Sequence, residues 1–138
     1  MVKNIVKDEY ILVKKSEKFI PGEDDYIIDD MLDTANEHGD NCAGLAAVQI
    51  GYLKRVILVK IGDKFIPFIN PVITKKFNGT YTTTEGCLSL EGGRVVVRHR
   101  GIRVKFTDRK GKTRIEPYTG YIAQILQHEI DHLNGVLI

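Results

Sequence analysis

Residues 128–132, with the sequence His-Glu-Ile-Asp-His, limit the possible folds of this chain more than any other stretch. Two histidines four positions apart lie on one face of a helix, about one turn from each other, so both imidazoles can reach one metal ion. Glu129 then lies beside the open position of that ion, where it can take a proton from bound water. The pattern predicts a helix in which His128 and His132 bind a metal. The alternative is a surface helix that carries two histidines without a metal.

The apolar residues around this motif predict that the helix is buried. They are Ile125, Leu126, Ile130 and Leu133. A buried cluster of ionisable side chains is costly unless something such as a metal ion satisfies it, and this favours the metal-binding interpretation. The helix is predicted to follow Thr119, which can cap it, and to run to about Asn134, with Gly135 ending it.

The chain as a whole predicts an α+β fold, in which antiparallel β-sheets pack around the C-terminal metal-binding helix and a second helix lies nearer the N-terminus. This second helix is predicted over residues 23–38, where apolar residues share one face, and Gly39 follows as its stop. Strands are predicted at residues 55–61, 65–69, 72–77, 80–84, 94–99, 102–107 and 112–116.

Three dipeptides predict how these strands are connected. Gly62-Asp63 is typical of a hairpin turn, and Asn78-Gly79 is the strongest hairpin signal in the chain. Residues 80–84 would then be the return strand of the second hairpin. Asn70-Pro71 predicts a boundary between strands.

The composition predicts one catalytic domain over residues 1–138. With 20 basic and 18 acidic residues, the net charge of +2 does not by itself indicate a nucleic-acid or membrane partner. The basic residues between Arg94 and Lys105 are most simply one solvated strand face, and an RNA-contacting patch is the less favoured interpretation. We find no signal peptide and no run long enough to cross a membrane, and only two cysteines, so we expect a cytoplasmic protein.

A catalytic metal site needs a third protein ligand, and Cys87 in the stretch Glu-Gly-Cys-Leu-Ser is the best candidate. Its alternative role is that of a buried free cysteine. Gln49 ends a stretch of small residues and could donate a hydrogen bond to a developing oxyanion. From composition alone, a satisfied polar residue in a packed strand is the simpler interpretation of Gln49.

The three stretches together resemble the peptide deformylase family, metallohydrolases that remove the formyl group from the initiating methionine of new chains. Residues 85–89 and 128–132 match two of the family's motifs completely. Residues 42–49 match the third, a glycine–x–glycine–leucine–alanine–alanine–x–glutamine stretch, except that Cys42 replaces its first glycine. The motifs occur in the family's order, and the resemblance covers most of the chain.

The resemblance implies a role for each matching position. Cys87, His128 and His132 would bind one divalent metal ion, Fe(II) first, with Zn, Ni or Co able to substitute. The catalytic groups would be the general base Glu129, the Gln49 amide and the Leu88 backbone N–H. Gly44 and Arg94 would bind the substrate, a formyl-methionyl nascent peptide, and Arg98 would pair with Glu85. Asp131 is either a second partner beside the ligands or an exposed helix carboxylate.

Several positions depart from the family's pattern. Cys42 would crowd the substrate, place a second thiol near the metal, or simply pack beside Ala43. Thr83, Gln124 and Ile125 stand where the family often has apolar pocket residues, which leaves the side-chain preference open. The sequence ends three residues after Gly135, whereas some family members continue into a helix that docks on the ribosome, and this weakens an expected ribosome contact.

These observations favour removal of the N-formyl group from nascent polypeptides, with release of formate. A related amidase or metalloprotease activity on another acyl group is a second hypothesis. The third is a deformylase-like protein that binds metal or peptide without turnover. The intact set of ligands and the presence of Glu129 argue against the third.

Overall fold

Five antiparallel strands form one sheet whose spatial order is the order of the strands in the sequence. The computed structural model describes residues 1–138. The strands are β1 (Gly44–Ala46), β2 (Val56–Ile61), β3 (Lys64–Glu85), β4 (Arg94–Thr107) and β5 (Thr113–Thr119). The helices are α1 (Glu9–Leu12), α2 (Asp25–His38) and α3 (Gly120–Leu133), with short 3-10 helices at Gly39–Asn41 and Ala47–Ile50. The predicted α+β class, with a C-terminal and a more N-terminal helix, is confirmed.

The side chains of β2 alternate between two apolar clusters, one on each side of the sheet. Ile57 and Val59 belong to the cluster that contains the apolar face of α3. Val56 and Leu58 belong to the cluster that contains the apolar face of α2. All four are completely buried. Because successive residues of a strand point to opposite faces, one short strand anchors both helices.

The predicted boundaries of several elements are confirmed. Helix α2 ends at Gly39, which has a φ of +56°. Gly62 and Asp63 form the two-residue connection between β2 and β3, where Ile61 pairs with Lys64. Thr119 precedes α3 as predicted, but its side chain makes no capping hydrogen bond.

The predicted hairpin at Asn78-Gly79 is wrong. Both residues have a positive φ, as such a turn requires, but β3 continues through them and pairs with β4 on either side. Phe77 pairs with Gly101 and Thr80 pairs with His99, so the two residues lie opposite one residue of β4 and form a β-bulge. The ring of Phe77 fills the space above Gly101, where a Cβ atom would lie 2.1 Å from the ring. The two expected strands on each side of Gly101 are likewise one strand.

The expected boundary at Asn70-Pro71 is also a bulge inside β3. Ile69 pairs with Thr107 and Val72 pairs with Lys105, so these two residues lie opposite Phe106 alone. Asn70 adopts a φ of +50° and its side chain exchanges hydrogen bonds with the backbone of Phe19, which stabilises the bend. No helix of the structure combines the length and apolar character needed to span a bilayer.

Gly135 allows the chain after α3 to pass close to the segment after α1. It has a φ of +77°, and a Cβ atom there would lie 2.2 Å from the carbonyl oxygen of Val13. Gly111 has a similar φ of +88° but no atom within 4 Å of such a Cβ. We expect Gly111→Ala to lower the free energy of unfolding by about 1 kcal/mol through backbone strain alone. Gly135→Ala should lower the free energy of unfolding by about 2 kcal/mol more than Gly111→Ala does, because backbone atoms must move to make room for the Cβ atom.

Urea unfolding of the two glycine variants beside the parent protein measures both losses. Equal losses in the two variants would contradict a close approach at Gly135.

Candidate metal centre and active-site cavity

Helix α3 presents His128, Glu129 and His132 on the side that faces the sheet, and all three side chains are buried. Cys87 comes from the loop that follows β3. One ligand atom from each of Cys87, His128 and His132 lies within 4.8 Å of the other two. The Nε2 atoms of the two histidines face each other at 3.1 Å. This set of one sulfur and two imidazoles is the kind that binds Zn, Fe, Ni or Co.

The carboxylate of Glu85 fixes the ring of His128. The Nδ1–H of His128 donates to Oε1 of Glu85 at 2.7 Å, so its Nε2 lone pair is free to face a metal. Arg98 donates to both oxygens of Glu85, at 2.9 Å from Nε and 2.6 Å from Nη2. Its Nη1 also donates to Asp131 at 2.6 Å. Arg98 and Glu85 are buried, whereas the side chain of Asp131 is 32% exposed.

The charges around this cluster favour a cation. Burial alone would lower the pKa of His128, but hydrogen bonds with Cys87 and Glu85 raise it to about 10. Burial alone would raise the pKa of the Cys87 thiol, but hydrogen bonding with His128 outweighs this, and its pKa is lowered. Burial lowers the pKa of His132 to about 3, which leaves its ring neutral. A thiol with a lowered pKa, the neutral ring of His132 and the ring of His128, whose surroundings stabilise positive charge, together fit a divalent metal ion.

Glu129 is a buried carboxyl group without a complete set of hydrogen bonds. Burial raises its pKa to about 7, and its Oε1 atom has no partner in the protein. A carboxyl group with a pKa near neutrality can both accept and return a proton.

Gly44 in β1 gives Glu129 its space. A Cβ atom on Gly44 would lie 2.9 Å from Oε2 of Glu129 and 2.8 Å from the side chain of Ile125. Any larger residue would therefore displace the carboxylate or the helix. The absence of a side chain here also opens the backbone of β1 to a ligand.

Gln49 lies in a 3-10 helix rather than in the packed strand that its composition suggested. Its Oε1 accepts from the backbone N–H of Ala46 at 2.9 Å, and this turns its Nε2 toward Ser89, to which it donates at 3.3 Å. The second hydrogen of Nε2 has no protein acceptor. The backbone N–H of Leu88 also has no acceptor in the protein. Two donors are thus available beside Cys87.

These groups surround a cavity of about 460 Å³. Its walls are residues 40–44, Gln49, residues 84–88 and the first three turns of α3. Of the residues singled out in the sequence, the cavity wall contains Gly44, Gln49, Glu85, Cys87, Leu88, His128 and Glu129. His132, Arg98 and Asp131 lie behind the wall.

Two further singled-out positions also lie outside the cavity wall. Arg94 is not part of its wall, and its Nη1 donates to the carbonyl of Glu91 at 3.0 Å. Thr83 is also absent from the wall, whereas Thr84, Gln124 and Ile125 belong to it.

Cys42 belongs to the cavity wall and is not grouped with Cys87, His128 and His132. Its thiol donates to the carbonyl of Gly44 at 3.3 Å, and only 2% of the residue is exposed. Burial raises the pKa of this thiol to about 11. Among the alternatives for Cys42, the structure favours simple packing.

Sequence reasoning gave no role to Ser89, Tyr81 or Tyr121. Ser89 supports Gln49, Tyr81 bonds Gln124, and Tyr121 lines the cavity mouth. Ser89 is the last residue of the Glu-Gly-Cys-Leu-Ser motif, and this position could have indicated a role in the site. The contact of Tyr81 with Gln124 joins residues 43 positions apart and leaves no periodic pattern.

A cysteine and two histidines beside a buried, unpartnered glutamate form the kind of site that metal-dependent hydrolases use. The family model described as polypeptide deformylase matches residues 2–138. A peptide deformylase of Clostridium beijerinckii is 43% identical over 138 residues, which cover all of both chains. That of Pelotomaculum thermopropionicum is 46% identical over 112 residues, covering 80% of this chain and 70% of the relative.

The fold agrees with these sequence matches. The crystal structure of peptide deformylase from Ehrlichia chaffeensis in complex with actinonin superimposes with a TM-score of 0.88 at 33% identity. The match covers 99% of this chain and 86% of that one. The chain therefore belongs to the peptide deformylase family. It is a hydrolase that removes the N-formyl group from nascent peptides.

The buried position of Arg98 generates a stability prediction. Arg98→Met leaves the carboxylate of Glu85 buried without its cation, and we expect a loss of about 3 kcal/mol or more in the free energy of unfolding. Asp131→Asn removes a partly exposed charge and keeps an acceptor, so its loss should be about 1 kcal/mol or less. Urea unfolding with excess chelator measures both without a contribution from bound metal. Similar losses for the two variants would show that Glu85 does not depend on Arg98.

Proposed function

We propose that residues 1–138 form one catalytic domain that binds a divalent metal ion through Cys87, His128 and His132. In this proposal the enzyme removes the formyl group from the initiator methionine of nascent polypeptides, and Glu129 is the general base of that reaction. The observation that supports it best is the group of three ligand atoms within 4.8 Å beside the buried carboxyl of Glu129. The sharing of β2 between both apolar clusters supports a single domain, for which each urea unfolding curve should show one transition.

A bound divalent ion would supply a polarised water molecule with a pKa near neutrality. Glu129 takes a proton from the attacking water, whose oxygen forms a bond to the formyl carbon. The same carboxyl group then gives that proton to the nitrogen as the carbon–nitrogen bond breaks. Formate and a free N-terminal amine leave, and Glu129 returns to its ionised form. A pKa of about 7 suits both transfers.

The remaining cavity residues have roles in binding and orientation. The free Nε2–H of Gln49 and the N–H of Leu88 donate to the carbonyl oxygen on which negative charge develops. The open backbone at Gly44 pairs with the backbone of the peptide. Glu85, held by Arg98 and indirectly by Asp131, keeps His128 in its ligand orientation. Arg94 is assigned to the rim of the methionine site by the family resemblance alone.

We infer Fe(II) as the preferred metal, with Zn, Ni or Co able to substitute. A thiolate with two imidazoles suits a borderline or soft ion, and the resemblance to the family selects iron among them. The formyl-methionyl nascent peptide is the proposed partner, and the cytoplasm, where new chains emerge, is the proposed compartment.

The role of Glu129 is tested by formate release from a formyl-methionyl peptide. We expect Glu129→Gln to lower kcat/KM by about 100-fold or more, because an amide of the same shape cannot accept the proton. Asp131→Asn, which changes a neighbouring carboxylate outside the cavity wall, should lower it by less than about tenfold. The metal content of each preparation is measured in parallel. Metal-loaded parent protein that releases no formate would instead favour a binding function without turnover.

The metal site is tested by metal analysis of protein purified without oxygen. We expect one ion per chain in the parent, with iron exceeding the other metals, and much less than one ion in Cys87→Ser. Treatment with a chelator should abolish formate release, and added Fe(II) should restore it. Full metal content in Cys87→Ser would remove Cys87 from the ligand set.

A further inference from the structure

Gln124 is a residue of the cavity wall whose side chain has no part in the proposed reaction. We propose that Gln124 makes this wall a subsite for a first side chain that carries a hydrogen-bond acceptor at its end. The enzyme would then deformylate peptides that begin with methionine sulfoxide more readily than peptides with an apolar side chain of the same length. This inference rests on the proposed function of the site.

The position of Gln124 matches the reach of a methionine side chain. It precedes His128 by four residues on α3, so it lies about one turn, or roughly 6 Å along the helix axis, from His128. Five bonds separate a formyl carbon from the sulfur of the methionine, a span of about 6 Å when extended. A peptide whose formyl group lies between Glu129 and Gln49 can therefore place the end of its first side chain beside Gln124.

The hydroxyl of Tyr81 fixes the orientation of the Gln124 amide. It donates to Oε1 of Gln124 at 2.9 Å, across the gap between β3 and α3. The guanidinium of Arg100 lies 5.1 Å from the centre of the Tyr81 ring and holds the ring in place. With its oxygen occupied, Gln124 has two amide hydrogens without a protein acceptor, on a residue of the cavity wall.

An acceptor on the substrate completes this arrangement better than an apolar chain. The thioether of methionine is only a weak acceptor, whereas its sulfoxide carries a polar oxygen at the same position. An apolar side chain that covers the amide leaves its donors without water and without a partner, which is unfavourable. The neighbouring Ile125 also belongs to the cavity wall and would pack against the methylene groups in either case. The inferred preference is therefore for a chain that is apolar along its length and polar at its end.

Three peptides that differ only in the first side chain test the inference: formyl-methionyl, formyl-methionyl sulfoxide and formyl-norleucyl peptides. Norleucine has the length of methionine but no acceptor. Formate release gives kcat/KM for each with the Fe(II) or Ni(II) enzyme, and the ratio of sulfoxide to norleucine is taken within each variant. A general effect on folding or metal loading cancels in that ratio.

We expect the parent enzyme to favour the sulfoxide peptide over the norleucine peptide and Gln124→Leu to lower the ratio by about tenfold, as expected for one lost hydrogen bond. Tyr81 is a positioning residue, and Tyr81→Phe should lower the ratio by a smaller factor. The effect of Tyr81→Phe should fall on KM rather than kcat, because the Gln124 amide contacts the first side chain of the peptide and not the reacting carbonyl. Tyr118→Phe is the matched control, since its hydroxyl bonds Glu116 outside the cavity wall.

The outcomes separate this inference from the function on which it rests. One outcome would overturn the inference alone: both the parent and Gln124→Leu release formate from the norleucine peptide, and their ratios of sulfoxide to norleucine kcat/KM are equal. A ratio below one in the parent would also overturn it. No release from any of the peptides by metal-loaded enzyme would overturn the proposed function and this inference together.

Discussion

The carboxylate of Glu85 is the contact on which the arrangement of the site depends. It accepts hydrogen bonds from Arg98 on β4 and from His128 on α3, so it joins the end of β3 to two other elements. Burial alone would raise the pKa of Glu85, but bonds from His128 and Arg98 lower it to about 2, and the group remains ionised. An ionised carboxylate that accepts hydrogen bonds from two residues fixes which nitrogen of His128 carries a proton. It therefore also fixes which nitrogen faces Cys87 and His132.

The position of Glu85 beside His128 also depends on the long strand β3 and the buried helix α3. Glu85 is the last residue of β3 and Cys87 follows two residues later, so their positions relative to α3 depend on a strand that continues over 22 residues. The bulges at Asn70-Pro71 and Asn78-Gly79 bend this strand without ending its pairing to β4. Gly44 completes the arrangement on the other side, because only a glycine leaves room for the Glu129 carboxylate.

Local patterns in the sequence predicted the elements, whereas long-range contacts decided how they are used. The spacing of His128, Glu129 and His132 predicted a helix and its chemistry, because helical geometry alone brings those side chains together. Asn78-Gly79 misled for the opposite reason: its dihedral preference suits a turn or a bulge, and the partner strand more than 20 residues away selects the bulge. Residue chemistry made Cys87 the best candidate for a third ligand but left open the alternative of a buried free cysteine, and only the family resemblance chose between them. The pairs Arg98–Asp131 and Tyr81–Gln124 join residues 33 and 43 positions apart, which no periodicity reveals.

The most direct test of this account is the metal affinity of Glu85→Gln, measured by competition with a chromophoric chelator. The glutamine keeps the size and an acceptor for His128 but removes the charge that Arg98 and His128 share. We predict an affinity about 10- to 100-fold weaker than that of the parent protein, while Asp131→Asn changes it much less. An affinity equal to that of the parent would mean that the three ligands bind metal without the support of Glu85, and it would contradict the central place given to that carboxylate.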